Sequence, residues 1–545
     1  MTASNDTSRE VWDFVIIGSG FGGSVSALRL VEKGYRVLVL EKGGRLGAED
    51  FPRTNWQVNR WLWMPRVGFR GLFKMTFLPH LTALSGVGVG GGSLVYANTL
   101  PIPKRPFFES GSWAGLRNWE AELAPHYETG LRMLGAATNP NLTYPDEIIR
   151  EVGADIGRAH GFEATRVAIH FGEPGKTVPD PYFGGRGPDR TGCNFCGGCM
   201  LGCRNGAKNT LDKNYLYLAE ADGARVLADT EVTDVRPQTG GGYEVTTLFG
   251  TSALRAELET RKYAARNVIF AGGVLGSVEL LLRLKASGSL PNLSERVGDL
   301  VRTNSEVLMG VVRLSPDRDL SKGIAIGSIL HTDERSHLEP VRYPAGAGFF
   351  RTLALPHAPG ETLARRLAHA TGTFLQSPVR TLRALTVSDW AKQTMILLYM
   401  RAEEGHLRLR LGRSVQTGFL RGLVTDVQGG PAPRASLPEA TELGERVAKK
   451  IGGFTESILT ETLFGVPTTA HILGGGCIGG SAAVGVIDTN HRVFGYEGLY
   501  VIDGSAMSAN PGVNPSLSIT AMAERAMAQI PRRETTGRQA RQHVG

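Results

Sequence analysis

Val15-Ile16-Ile17-Gly18-Ser19-Gly20-Phe21-Gly22-Gly23-Ser24 is the stretch that decides the fold. An apolar β-branched run ends at glycines 18, 20 and 23. Ser24 to Lys33 then reads as a helix, Gly34 as its stop, and Val37 to Leu40 as a second strand. Strand, glycine turn, helix, strand is one βαβ half of a dinucleotide-binding fold. Gly18 permits the tight turn, Gly20 lets a pyrophosphate approach the backbone, and Gly23 lets helix and strand pack closely. The helix N-terminus offers free N–H groups and a partial positive charge to the phosphates. Glu41 ends the second strand, 23 residues after Gly18 (41 − 18). A carboxylate there accepts hydrogen bonds from an unphosphorylated adenosine ribose, which favours FAD or NAD over NADP.

Further glycine-rich blocks need the same kind of reason. Gly86-Val87-Gly88-Val89-Gly90-Gly91-Gly92-Ser93 costs backbone entropy, so close approach to something large is its natural explanation. We expect Gly88, Gly90, Gly91, Gly92 and Ser93 to lie against the cofactor, with Val232 also facing it. Near the C-terminus come His471-Ile472-Leu473-Gly474-Gly475-Gly476, then Leu499 to Ser505, then Gly512-Val513-Asn514-Pro515 entering a helix. Asp503 and Gly504 would meet a cofactor hydroxyl or phosphate. Asn514 and Pro515 would head a helix whose positive end stabilises charge developing on the cofactor ring.

Bulk properties bound the remaining choices. At 545 residues the chain exceeds one ordinary core and suggests two domains. The net charge of +8 is dispersed, and no nucleic-acid module is present, so no nucleic-acid partner is expected. Met1 to Glu10 is polar, and no apolar run reaches about 18 residues. The expectation is a cytoplasmic protein with room for peripheral membrane contact.

Taken together, Gly18–Gly23, Gly86–Ser93, His471–Gly476 and Asp503–Pro515 resemble the glucose–methanol–choline (GMC) oxidoreductases. Asn209 to Leu216, Ala271 to Ser277 and Leu290-Pro291-Asn292-Leu293 add a resemblance to the cholesterol oxidase-like branch. The blocks span nearly the whole chain. The resemblance implies an α/β fold, an FAD-binding Rossmann-like domain interleaved with a substrate domain on a mainly antiparallel sheet. On that basis 8–50, 209–300 and 488–531 form the FAD domain. Residues 51–208 and 301–487 form the substrate domain, and 1–7 and 532–545 are disordered. It implies FAD as cofactor, a sterol or other hydrophobic alcohol as substrate, and oxygen or another electron acceptor. His471 matches the family's active-site histidine, with Ile472 where the family has proline. Asn514 matches the active-site asparagine, and Glu339 an acidic residue of the steroid site. These types suit the chemistry. A histidine near neutral pKa takes the hydroxyl proton while hydride leaves the same carbon for flavin N5. A glutamate in an apolar pocket is an alternative base, or moves a proton to shift a steroid double bond.

Cys193-x-x-Cys196-x-x-Cys199-x-x-x-Cys203 departs from the sterol-oxidising pattern. Its spacing is that of a bacterial ferredoxin run, with Arg204 in place of proline. An iron–sulphur cluster, a structural zinc and four free thiols are the three readings. A cluster would make a long-chain alcohol dehydrogenase, or a flavin electron-transfer module without alcohol chemistry, an alternative to a sterol enzyme. Two segments bear on access. Trp56, Trp61, Trp63, Phe69, Phe73 and Phe77 interleave with Arg60, Arg66, Arg70 and Lys74. Residues 361–392 read as two basic amphipathic helices with Leu363, Leu367, Ala370 and Phe374 on one face. Both patterns suit a membrane interface, an active-site cover or a dimer contact.

Overall fold

The computed structural model describes residues 10–534. The disorder expected for 1–7 and 535–545 lies outside those residues. Residues 532–534, expected to fray, are docked: the Arg533 N–H donates to Lys33 O at 3.0 Å, and its guanidinium pairs with Asp13 at 3.2 Å.

The opening motif builds the centre of a seven-stranded sheet. Val11–Ile17 is buried along most of its length and lies parallel to Val37–Leu40 on one side and Glu259–Phe270 on the other. Arg225–Leu227 extends the parallel run beyond Val37–Leu40. The long strand Glu259–Phe270 pairs through its first half with the antiparallel strand Tyr243–Phe249, itself paired with Thr230–Pro237. Its last residues pair in parallel with Leu499–Val501. Ile17, Leu40, Leu227, Phe270 and Val501 are therefore in register. The carboxyl ends of five parallel strands share one edge, which is where open α/β sheets bind ligands.

Helices Phe21–Val31 and Ser516–Ala528 cover this sheet. Phe21–Val31 begins three residues before its expected start, because Gly20 already holds the extended cap conformation. Glu524 ties the layer together, accepting from Arg29 at 2.8 Å and from the Tyr215 hydroxyl at 2.6 Å. A carboxylate this buried is tolerated because it is paired.

A second sheet is wholly antiparallel: Ala354–Pro356, Gly453–Ile458, Val307–Arg313, Thr394–Arg401, Ser336–Val341, Ser328–His331 and Phe162–Ala164, in that order. Its period-two alternation sorts the faces. Val307, Met309, Val311, Met395, Leu397 and Tyr399 pack against helices Tyr144–Asp155 and Pro438–Ile451. Leu308, Gly310, Ile396 and Leu398 face a large cavity between the sheets. The hairpin His406–Gly412 and Gly422–Gly429 lies within the 301–487 segment. Leu407, Leu409 and Leu423 bury into the core of the first sheet, because that is where their apolar face finds cover.

Candidate active site

The cavity has a volume of about 970 Å³, near the upper end for small-molecule sites. One end is polar and backbone-rich. Gly18, Ser19, Gly20, Glu41, Thr230, Val232, Gly272 and Gly273 line it, each on or just beyond the first sheet, with Glu279 from the helix Val274–Ser287. The other end is apolar, walled by Leu308, Ile326, Val341, Tyr343, Phe350, Trp390, Ile396 and Leu398.

The glycine turn is shaped by contacts that no side chain would survive. A Cβ on Gly18 would come 2.5 Å from Ala271 O, and one on Gly22 would come 1.7 Å from Ile502 O. A Cβ on Gly23 would come 2.1 Å from Gly18 O. Gly20 differs, for a Cβ there meets no protein atom within 4 Å. Its hydrogen faces open cavity, and the helix it begins has no side-chain cap. Unsatisfied N–H groups therefore point at free space, as an anion site requires. Gly91, at φ 52°, packs against Gly20 so closely that a Cβ would lie 2.7 Å from Gly20 Cα. Gly88 and Gly90, also left-handed, help set that run. Gly91 and Gly92 line the cavity, whereas Gly88, Gly90 and Ser93, expected against the cofactor, do not: Ser93 is fully buried, its hydroxyl donating to Gly90 O at 2.7 Å and accepting from Leu211 N at 3.0 Å.

Glu41 is buried at the strand end. It accepts from the Ser19 N–H at 3.1 Å, the Ser19 hydroxyl at 2.8 Å and the Gly43 N–H at 2.9 Å. Asp503 is also committed to the protein. One oxygen accepts from Gly273 N at 2.8 Å and Ser277 Oγ at 2.5 Å, the other from Ser505 N at 2.8 Å and Ser505 Oγ at 2.5 Å. Burial pushes the Asp503 carboxyl upward, against those donors. Asp503 thus fixes the Gly272–Gly273 turn, while Gly504 borders the cavity beside it. Pro515 caps Ser516–Ala528 without a side-chain bond, and Pro515 and Ser516 both reach the cavity wall.

His471 lines the same cavity. Its Nδ1 lies 2.7 Å from Glu306 Oε2, while Glu306 Oε1 accepts from Ala470 N at 2.8 Å. Glu306 thereby fixes the ring and favours the proton on Nδ1, leaving Nε2 for a ligand. Burial alone would lower the histidine's pKa. The Glu306 carboxylate, with a contribution from Glu339, outweighs it and holds the ring above its ordinary value. Asn514 stands in the wall, and its Oδ1 is buried without a partner. Its Nδ2 donates to Glu339 Oε2 at 3.4 Å. Glu339 is fully buried behind Asn514 and is not itself a wall residue. His337 Nε2 approaches its other oxygen at 3.5 Å without a hydrogen bond. The structure thus brings His471, Asn514 and Glu339 to one place.

Two site carboxyls escaped the sequence reading. Glu306 is 165 residues from its histidine and carries no motif. Glu456 lines the cavity from Gly453–Ile458 with both oxygens unpartnered, and burial pushes it up to about 8. Alternation in that strand could have flagged an inward acid, but not its surroundings. None of the four loop cysteines is in a disulfide. Among the described residues no group of three or more His, Cys, Asp or Glu is placed to hold a metal ion. That geometry does not support the structural zinc reading, since zinc draws four thiolates to about 2.3 Å from one point.

An open glycine turn at a helix start, a carboxylate at the next strand end and an uncapped helix at the far side fit a dinucleotide. The class is thus a flavin-type oxidoreductase fold. The FAD dependent oxidoreductase family model matches residues 13–311 and the GMC oxidoreductase model residues 438–523. The chain is 45% identical to a cholesterol oxidase of Acinetobacter baumannii over 538 residues, 97% of this chain and 96% of that one. It is 44% identical to a cholesterol oxidase of Mycobacterium tuberculosis over 544 residues, 97% and 92% of the two chains. The crystal structure of pyridoxine 4-oxidase from Mesorbium loti shares the fold, with a TM-score of 0.60 at 15% identity over 95% of this chain and 99% of that one. This chain belongs to the GMC oxidoreductases, and it is an FAD-dependent enzyme.

Proposed function

We propose that this enzyme oxidises the hydroxyl of a 3β-hydroxysteroid to a ketone, with oxygen as electron acceptor. The observation that carries the proposal is one cavity with two ends. The polar end fits FAD, the apolar end is large enough for a fused-ring lipid, and His471 and Asn514 line the wall of that same cavity. Similarity to two cholesterol oxidases supports the choice of sterol. The bound flavin supplies the hydride acceptor. His471 Nε2 takes the hydroxyl proton, held in place by Glu306 through Nδ1. Asn514 Oδ1, unpaired within the protein, orients the hydroxyl, and Glu339 fixes the Asn514 amide. The apolar wall excludes water from the reacting carbon.

Delivery of so insoluble a substrate calls for contact with a lipid surface, and the exterior provides one. Leu363, Leu367, Phe374, Leu375, Val379 and Leu382 are exposed on helices Leu363–Gln376 and Pro378–Leu385. In the first helix Arg366 is the buried residue. Arg366 turns inward to donate to Thr462 O at 2.8 Å and Gly360 O at 3.0 Å. An apolar face turned outward beside Arg365, Arg380 and Arg383 suits an anionic bilayer surface. A cytoplasmic enzyme that docks on membranes transiently accommodates both features.

The test is an anaerobic absorbance titration of the FAD-loaded enzyme. Bleaching of the flavin bands by a 3β-hydroxysteroid, with peroxide formed on readmitting air, is the expected result. Bleaching by a long-chain primary alcohol but not by the sterol would overturn the substrate assignment. Bleaching without peroxide would overturn the acceptor.

A further inference from the structure

The cysteine loop is rigidly built. Gly197 and Gly202 hold φ of 72° and 80°, and Phe195 holds 55° despite its side chain. A Cβ on Gly197 would come 2.4 Å from Ser321 O, and one on Gly202 would come 2.2 Å from the Phe51 ring. Cys196 also bridges to the backbone of Gly323. The winding turns all four sulphur-bearing residues onto one small cavity of about 60 Å³, separate from the active-site cavity. A water needs roughly 10–15 Å³ by this measure, so the space exceeds what one ion would fill.

Two donors approach the sulphurs. The Phe195 N–H donates to Cys193 Sγ at 3.4 Å, and the Asn205 amide donates to Cys196 Sγ at 3.5 Å. Lys208, itself lining the small cavity, is fully buried. It donates only to carbonyls, Leu94 O and Tyr96 O at 2.9 Å and Cys199 O at 2.8 Å. Arg190 is fully buried too, bonded to Ala207 O, Lys208 O and Asn209 Oδ1, with Nε and one terminal nitrogen unpartnered. Neither cation has a carboxylate partner among its hydrogen bonds. A buried cation gains from any further negative charge placed near it. Four thiolates around an iron–sulphide core carry a net negative charge and would add to it.

We propose that Cys193, Cys196, Cys199 and Cys203 bind one iron–sulphur cluster. Cys193, Cys196 and Cys199 have the ferredoxin spacing for one cluster, and Cys203 lines the same cavity as those three. Four cysteines lining one cavity of this size suit a multi-iron core, whereas a single ion would need a convergent ligand group, and none is present among the described residues. The site adjoins the active site. Met200, next to Cys199, lines the large cavity, and Lys208 holds the backbone of Leu94 and Tyr96 just beyond the glycine run.

The test counts metal and does not depend on the sterol assignment. The full-length enzyme is purified without oxygen, and iron, acid-labile sulphide, zinc and FAD are measured per chain. The expected result is about four iron and four sulphide. Cys199→Ser and Cys203→Ser should lose most of the iron while keeping FAD, and Cys477→Ser, outside the loop, should keep both. Iron below about half an equivalent after anaerobic reconstitution with iron and sulphide, or one zinc in its place, would overturn the proposal. If a loop variant fails to fold, the metal content of the unaltered enzyme still decides. Loss of FAD with iron retained would count against the flavin reading alone.

Discussion

His471 is held by one carboxylate and felt by another, and this makes its pH behaviour testable. Glu306 contacts Nδ1 and, with burial opposing it, raises the histidine's pKa. If neutral His471 is the base, kcat/KM rises with pH through that raised value. In Glu306→Gln the Coulombic attraction is gone, so the acid limb should move to lower pH while the maximal rate falls about tenfold through looser positioning. An unmoved limb would show that Glu306 only fills space. Glu456 makes a second prediction. Its folded pKa of about 8 exceeds the ordinary carboxyl value, so the native state keeps a proton that the unfolded chain releases. That contribution to stability is complete below about pH 4.5 and declines as pH rises toward 8. Glu456→Gln should therefore gain thermal stability relative to the parent between pH 5 and 8, then hold that gain. Melting curves with the same slope against pH for both proteins would contradict it. The sequence revealed His471, Asn514 and Glu339 because motifs and family resemblance carry them. It hid Glu306 and Glu456 because their roles come from long-range packing, which leaves no local spacing to read.

Among the elements, the glycine turn separates folding from binding. Gly22 and Gly20 are two residues apart, yet only Gly22 is packed against protein. Gly22→Ala forces a Cβ into the Ile502 carbonyl and should abolish soluble expression. Gly20→Ala meets no protein atom, so the fold should persist while FAD affinity drops by roughly one to two orders of magnitude. Equal loss of stability in the two variants, by thermal melting of the apo forms, would refute that division. The helix pair at 363–385 shows where pattern reading falls short. Periodicity revealed the shared face of Leu363, Leu367 and Phe374, but periodicity does not say which way a face points. Here it points outward because Arg366 occupies the inner side with three backbone carbonyls. Leu367→Asp with Leu375→Asp should leave turnover of a detergent-solubilised sterol intact and weaken sedimentation with anionic vesicles at least fivefold. Unchanged sedimentation would locate the lipid contact elsewhere.

At the scale of the molecule, the cavity is made by segments remote in sequence. The glycine turn near residue 20, the glycine run near 90, the strand end near 230 and the helix head near 515 all meet there. The second sheet closes the other side through Leu308, Ile396 and Leu398. The βαβ start and the alternating strands announced both sheets. Their order did not follow from the sequence, because Leu499–Val501 joins the first sheet only after the chain has built the second. A dinucleotide spanning such a cavity binds the native state alone, so it stabilises by RT ln(1 + [L]/Kd), about 2.7 kcal/mol at a hundredfold excess over Kd. Stripping FAD should lower Tm by several degrees, and adding it back should restore Tm in a concentration-dependent way. The recovery should fail in Gly20→Ala at FAD concentrations that suffice for the parent, since only the phosphate approach differs between them. A Tm indifferent to FAD in the parent would mean that the cavity is not where the cofactor binds, and the assignment of its two ends would fall with it.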